Sequence, residues 1–476
     1  MFPASSSHPF LVGGVWSHGR LRSEVRNPYN DEVVGSVHLA DYEDASLAIQ
    51  QALTGFEKTK RLQSFERAEI LAAVAEKLNL QREEFARLIT AEVGKPLQFA
   101  RGEVERAITT FTLAAEETKR IGGELVPLDL HRQAANRFGV VRRFPIGVVL
   151  GIAPFNFPLN LVAHKVAPAI ASGNAFILKP PPQAPLTSLC LAELILSANY
   201  PPEALSVLPC TTDVAESLVK DERTKMLSFT GSPTVGWELK RLAGKKKVVL
   251  ELGGNAGVFV DRSADVQEAV KKNLMGAFVY AGQVCIKVQR IFIHEAIYDE
   301  YERSFVEGAK MLKRGDPSLT DTVVGPVIND AAKDRIISWI EEAVKMGGTI
   351  LAGGTVEGRV IAPTILANVP RAARVYCQEV FGPVVTLHRV GSVEEAVNGI
   401  NDSPFGLQAG IFSNDMKNIL FAYNHLDVGG VMVNENPTFR VDNMPYGGVK
   451  DSGFGREGVK YAIEAMTEPK LLSLGF

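Results

Sequence analysis

The sequence predicts an α/β protein built from two doubly wound parallel-sheet domains and a protruding β segment. Three observations carry that expectation. From residue 146 short apolar runs alternate with helical stretches; the same rhythm restarts after Gly244; and an alternating, arginine-rich stretch before Pro145 belongs to neither series. Strands alternating with helices mark a parallel sheet covered by helices. A length of 476 residues also exceeds one ordinary domain.

In chain order, residues 11–40 mix short apolar groups with turn residues (Gly13-Gly14, Asn27-Pro28, Asn30-Asp31), the pattern of small strands or hairpins. Helical periodicity follows at 44–53 and over a longer span, 64–92, where Ile70, Val74, Leu78, Phe85 and Leu88 form an apolar stripe. Gly94-Lys95-Pro96 stops it, and 97–120 reads as another helix with Val104, Ile108, Phe111 and Ala115 on one face. Gly122-Gly123 ends that helix. The alternating run Phe138 to Phe144 then reads as an edge that needs covering, and so as an oligomer contact.

In the first series, strands are expected at 146–152, 175–178, 205–208 and 226–229, with helices near 158–171, 184–198 and 213–220. Ligands of such sheets bind at the carboxyl ends of the strands, which points to a dinucleotide-binding architecture. In the second, strands at 248–250, 257–260, 289–294, 359–361 and 383–390 alternate with helices at 265–280, 295–312, 330–346 and 393–400. No low-complexity linker separates the series, so they are expected to share a cleft.

Composition narrows the function. The chain is 46% hydrophobic and 22% charged with a net charge of −3, and its charges are mixed along its length, which argues against a nucleic-acid partner. Cys190, Cys210, Cys285 and Cys377 are scattered without metal-ligand or disulfide spacing, so no metal is expected. No apolar run reaches the length of a membrane span, and Met1 to Phe10 lacks a secretory pattern. A cytoplasmic protein is expected.

Several residues are placed for chemistry. Cys285 follows Gly282-Gln283-Val284 on a turn between a helix and a strand, where a thiol can meet a ligand on a rigid backbone; free cysteines also simply fill space. Glu251 ends an apolar strand, where desolvation favours a general base, although pairing with Lys246 is an equal alternative. Asn156, between aromatics in Pro154-Phe155-Asn156-Phe157, can stabilise an oxyanion or form an Asx turn. Thr230-Gly231-Ser232 opens a helix after a strand, a setting for a pyrophosphate or for a plain cap. Lys179, held by Pro180, ends another strand and can point at a nucleotide or at solvent.

Pro154-Phe155-Asn156, Lys179-Pro180, Phe229 to Ser232, Glu251-Leu252-Gly253-Gly254, Gly282 to Cys285, Glu379-Val380-Phe381-Gly382-Pro383, Gly447 to Gly453 and Gly455-Arg456-Glu457-Gly458 occur in this order. Together they resemble the NAD(P)-dependent aldehyde dehydrogenase superfamily over nearly the whole chain. The resemblance implies that Cys285 attacks the aldehyde, that Asn156 and the cysteine's own N–H hold the oxyanion, and that Glu251 activates the water that releases the acid. It implies Lys165 and Glu468 in a proton relay. Lys179, Ser232, Thr230, Gly231, Pro154, Phe155, Glu379 and Phe381 are implied to surround NAD.

NADP stays open, because Pro182 occupies the place where many NAD-preferring members carry glutamate. The family plan implies a cofactor domain (1–120 and 144–244), a catalytic domain (245–437), an oligomerisation segment (121–143 and 459–476) serving a homodimer or homotetramer, and a return segment (438–458). For substrate, Arg106, Lys287, Arg440 and Phe157 fall near the funnel of relatives. The cations favour a short anionic or hydroxylated aldehyde such as lactaldehyde, phosphonoacetaldehyde or a semialdehyde. Val284, where phosphorylated-triose members carry arginine, argues against glyceraldehyde 3-phosphate. Lys287, two residues past the thiol, is expected to lower its pKa. A CoA-acylating enzyme, a broad apolar aldehyde dehydrogenase, a cysteine hydrolase and a non-catalytic relative are the competing readings. The first generally lacks Glu251, and the hydrolase lacks a histidine motif.

Overall fold

A computed structural model describes residues 7–476; the first six residues of the expected cofactor domain lie outside the described residues. Two large sheets organise the chain. The first has eight strands, and its centre runs Lys247–Glu251, Thr224–Thr230, Val148–Ile152, Ala175–Lys179, Leu205–Val207, all parallel. Phe10–Val12 and Val15–Ser17 extend one edge antiparallel, and Gly453–Phe454 extends the other. Strand order reverses between Val148–Ile152 and Thr224–Thr230. That switch point opens a crevice at the carboxyl ends of the strands, where a dinucleotide sits in such sheets.

The central strands are buried along their length, which is why they read as continuous apolar runs rather than alternating ones. Helices Asn160–Ser172 and Pro185–Ser197 cover them and are themselves buried nearly all round. The expected 64–92 helix is two helices, Ser64–Leu80 and Arg82–Val93, broken at Gln81, whose ψ of 17° leaves the helical region. Gly94, at φ 64°, caps the second; a Cβ there would lie 2.6 Å from Pro326 Cγ.

The second sheet has seven strands in the order Thr349–Ala352, Thr364–Ala367, Val384–Val390, Val288–His294, Ala256–Val260, Gln408–Phe412, Gly430–Val433, parallel except at the first edge. Val360–Ile361 lies outside it, in a hairpin with Val356–Glu357. Side-chain capping fixes its helix starts: Asp265 accepts from Glu268 N–H and Asn329 from Ala332 N–H.

Sheet membership moves one expected boundary. Lys247–Glu251 pairs with Thr224–Thr230 in the first sheet, so the chain crosses to the second after Glu251 and not after Gly244. Local pattern cannot show this, because a buried strand looks the same in either sheet. Gly123–Pro127, Arg137–Pro145 and Thr467–Gly475 form a separate antiparallel sheet with most outer positions exposed. The helix Val459–Ala465, assigned from sequence to that segment, packs instead on Asn160–Ser172.

Candidate active site

Cys285 is carried by an unusual turn. Helix Val266–Phe278 ends, and Tyr280, Ala281 and Gly282 follow with φ of 53°, 52° and 66°. Left-handed backbone at a tyrosine and an alanine costs about 1–3 kcal/mol each, so the surroundings must hold it. Tyr280 N–H donates to Val323 O, and its hydroxyl donates to Val93 O at 3.3 Å. The Gln283 amide accepts from Ile328 N–H at 2.9 Å and donates to Pro326 O at 3.2 Å. Gly282 is required for a second reason: a Cβ there would lie 2.4 Å from Gly382 O.

The thiol is partly buried, and burial pushes its pKa up to about 11; a hydrogen-bonding contact with the Tyr446 hydroxyl at 3.1 Å opposes this. Asn156, buried, donates from Nδ2 to Gln283 O at 3.0 Å, which leaves its second amide proton for another acceptor. The Cys285 N–H donates to no acceptor among the described residues. Two donors are therefore free to meet one oxyanion.

Glu251 closes its strand opposite Thr230. Both of its oxygens are buried without a hydrogen-bond partner, and the pairing with Lys246 weighed from sequence does not form. Desolvation first, and then the charge of Glu457, hold the Glu251 carboxyl well above the carboxylate range, against Arg440 and Lys165. Glu457 takes the opposite course: Lys165 and Arg440 bring it down to about 2 in spite of burial.

Lys165 donates to Glu457 Oε1 at 2.8 Å, to Thr230 Oγ1 at 2.7 Å and to Ser228 Oγ at 3.2 Å. Thr230, expected beside the cofactor, thus spends its hydroxyl on Lys165, and Gly231 N–H bonds to Glu251 O at 3.0 Å. Glu468 is a correction. It lies on the exposed strand Thr467–Gly475, opposite Phe144, and pairs with Lys247 at 2.7 Å with its side chain 58% exposed. The carboxylate that faces Lys165 is Glu457, in the run Gly455-Arg456-Glu457-Gly458.

Lys287 is the second correction. Its ammonium is buried and donates to Val384 O at 2.5 Å, facing Glu379. The largest charge effects on Cys285 come from Glu379, Arg440 and Glu251. Arg106 pairs with Asp442 at 2.7 Å and, with Phe157 and Val284, lines a cavity of about 370 Å³. Arg440 lies buried 3.6 Å above the Tyr446 ring and reaches Glu457 Oε2 at 3.3 Å, and its Nε has no partner. Asp442 also accepts from Asn160 and contacts His164 at 2.7 Å, a hub with no sequence signal.

At the crevice, Lys179 ends its strand with a pKa lowered by burial and forms no ion pair among the described residues. Ser232 is the exposed N-cap of Pro233–Leu242, and its side chain makes no capping bond. Glu379 accepts from Gly254 N–H at 2.9 Å, and burial raises its pKa to about 7; a Cβ on Gly253 would lie 2.6 Å from its Oε2. Phe381, at φ 46°, meets Phe155 edge-on at 6.0 Å. Pro154 sits half-buried at the same rim. An unpaired lysine, an open helix N-terminus and a held carboxylate fit a dinucleotide.

A nucleotide crevice facing a partly buried thiol, with a partnerless carboxyl beside it, is the layout of a thiol-dependent oxidoreductase. The chain belongs to the aldehyde dehydrogenase family, whose model matches residues 16–472. It is an NAD(P)-dependent oxidoreductase acting on aldehydes. It is 41% identical to a 3-sulfolactaldehyde dehydrogenase of Priestia aryabhattai over 464 residues, 97% of each chain. Aldehyde dehydrogenase 21 of Physcomitrella patens, solved in complex with the reaction product succinate, is 43% identical with a TM-score of 0.97, covering 99% of this chain and 98% of that one. A glyceraldehyde-3-phosphate dehydrogenase of Methanocaldococcus jannaschii complexed with NADP is 40% identical with a TM-score of 0.92, covering 96% and 100%.

Proposed function

We propose that the enzyme oxidises a short anionic or hydroxylated aldehyde to its carboxylic acid through a covalent adduct on Cys285. Arg440 carries the substrate class: a buried guanidinium, stacked on the ring that touches the thiol, with Nε unpartnered and only a long bond to Glu457. An anionic group on the aldehyde would satisfy it. The reading is supported by two relatives' names, since sulfolactaldehyde carries a sulfonate and succinate a second carboxylate.

The Cys285 thiolate adds to the carbonyl carbon, and the new oxyanion is held by the second Asn156 amide proton and the Cys285 N–H. NAD(P), when bound, supplies the hydride acceptor. Lys179, Ser232 and Glu379 would hold it, with Phe381 and Phe155 at the nicotinamide end. The acyl group left on sulfur is hydrolysed by water that Glu251 deprotonates; Lys165 and Glu457 hold the charge around it. A partnerless carboxyl beside the thiol favours hydrolysis over transfer to CoA.

Either nucleotide is accepted, since Pro182 is exposed and offers no charge against a 2′-phosphate. The outer sheet, with Leu125, Leu471, Leu472 and Phe476 exposed, serves a homodimer or homotetramer. Four free cysteines suit a reducing, cytoplasmic setting, and no helix among the described residues is long and apolar enough to cross a membrane. The test is NAD(P)H formation at about 340 nm, the reduced nicotinamide band, from anionic, hydroxylated and apolar aldehydes, with both nucleotides, with and without CoA. Anionic aldehydes should give the highest kcat/KM without CoA. Equal rates for apolar aldehydes of the same length would remove the substrate class.

A further inference from the structure

The hydroxyl of Tyr446 is buried, and its partner among the described residues is Cys285 Sγ, at 3.1 Å. A buried phenol needs a partner. Here the ring is not free to seek another. Tyr446 exchanges two backbone hydrogen bonds with Glu457, at 3.0 and 2.6 Å, and packs among Ile286, Leu407 and Val284. When sulfur is a thiol either atom can donate; when it is a thiolate only the phenol can.

The thiolate has need of that donor. Burial disfavours it, and the carboxyls of Glu379 and Glu251 add to the penalty; the opposing groups are the Tyr446 hydroxyl and the Arg440 guanidinium. Arg440 also lies with Cζ 3.6 Å over the Tyr446 ring, where a cation draws density from the π face and makes the hydroxyl a stronger donor.

We infer that Tyr446 is a further catalytic residue: its hydroxyl donates to the Cys285 thiolate as that thiolate forms, and Arg440, stacked on the ring, strengthens that donation. On attack a sulfur electron pair forms the S–C bond and the carbonyl π pair moves to oxygen. Sulfur loses its charge, and the phenol keeps its proton throughout. The thiol proton has already passed to solvent. An anionic group held by Arg440 would therefore sit one ring away from the nucleophile, which ties recognition to reactivity.

This rests on the reading of Cys285 as nucleophile, and alkylation tests it without an aldehyde. The full-length enzyme is treated with iodoacetamide across pH, and modification of Cys285 is followed by peptide mass spectrometry with Cys377 as internal reference. Tyr446→Phe, which keeps the ring and its packing, should alkylate at Cys285 about tenfold more slowly at pH 7, its inflection moved to higher pH. Replacing Tyr446 by 3-fluorotyrosine, a more acidic phenol of the same shape, should move the inflection down. An unchanged inflection in both, with Cys285 still faster than Cys377, overturns the role of Tyr446 and leaves the nucleophile standing. Cys285 no faster than Cys377 in the parent enzyme overturns both.

Discussion

Lys165 and Glu457 stand 292 residues apart in the chain and meet at 2.8 Å, with neither side chain more than 2% exposed. The pair decides which of two buried carboxyls carries charge. Glu457, held also by Arg440, is the anion. Glu251, with no partner, has its pKa raised by burial and then by that anion. Two carboxyls in one low-dielectric site are shifted in opposite directions because only Glu457 is paired directly with cations.

Removing the Glu457 charge should therefore change how Glu251 titrates. In Glu457→Gln the like charge is lost and Lys165 and Arg440 are unpaired, and both changes lower the Glu251 pKa. Glu251 acts as a base only when ionised, so kcat rises as pH climbs through its pKa. The acid limb of the kcat profile should move to lower pH in the variant. A limb that stays put or moves up contradicts this coupling. The unpaired cations should also cost about 3–5 kcal/mol of stability, visible in thermal melts.

Arg440→Lys keeps the charge and loses the planar fork. KM for an anionic aldehyde should rise about ten- to a hundredfold, the worth of a hydrogen bond to a charged group, while a neutral aldehyde of equal length changes little. Equal losses for both would mean that Arg440 supports the site without contacting the anion.

Lys287→Met should leave the Cys285 alkylation inflection where it is, because the ammonium faces Val384 O and Glu379. Stability is the expected casualty, by about 1–3 kcal/mol, since Val384 O loses its donor. The pH dependence has a sign. Burial lowers the Lys287 pKa to about 7 from 10.5, so between those values the unfolded chain binds the extra proton and stability rises with pH. The variant should lack that rise when denaturant midpoints are compared across the window.

Pro182→Glu places a carboxylate at an exposed position three residues after Lys179. KM for NADP should rise about tenfold through repulsion of the 2′-phosphate, with NAD unaffected or improved. Unchanged NADP kinetics would place the ribose elsewhere.

Strand and helix rhythm, the βα order and the short motifs were legible because each depends on residues close in sequence. The expected helix at 97–120 is Leu97–Thr118, and the strand expected at 383–390 is Val384–Val390. The strand Thr364–Ala367 and the pair Gln408–Phe412 and Gly430–Val433 are not distinguishable from loop by local pattern, being short and flanked by glycine, asparagine or proline. Tyr446 had no signal of its own, since an aromatic before Gly447-Gly448 reads equally as packing.

The sequence by itself determined the family motifs in their order, the thiol on its turn and the carboxyl at a strand end. Only the tertiary structure decided which charges meet. It sent Glu468 to an outer sheet and put Glu457 against Lys165, turned Lys287 toward Val384 and Glu379, and laid Tyr446 between Arg440 and Cys285. The reason is physical: a side chain's charge state follows from burial and from partners hundreds of residues away, and neither is a property of the local chain.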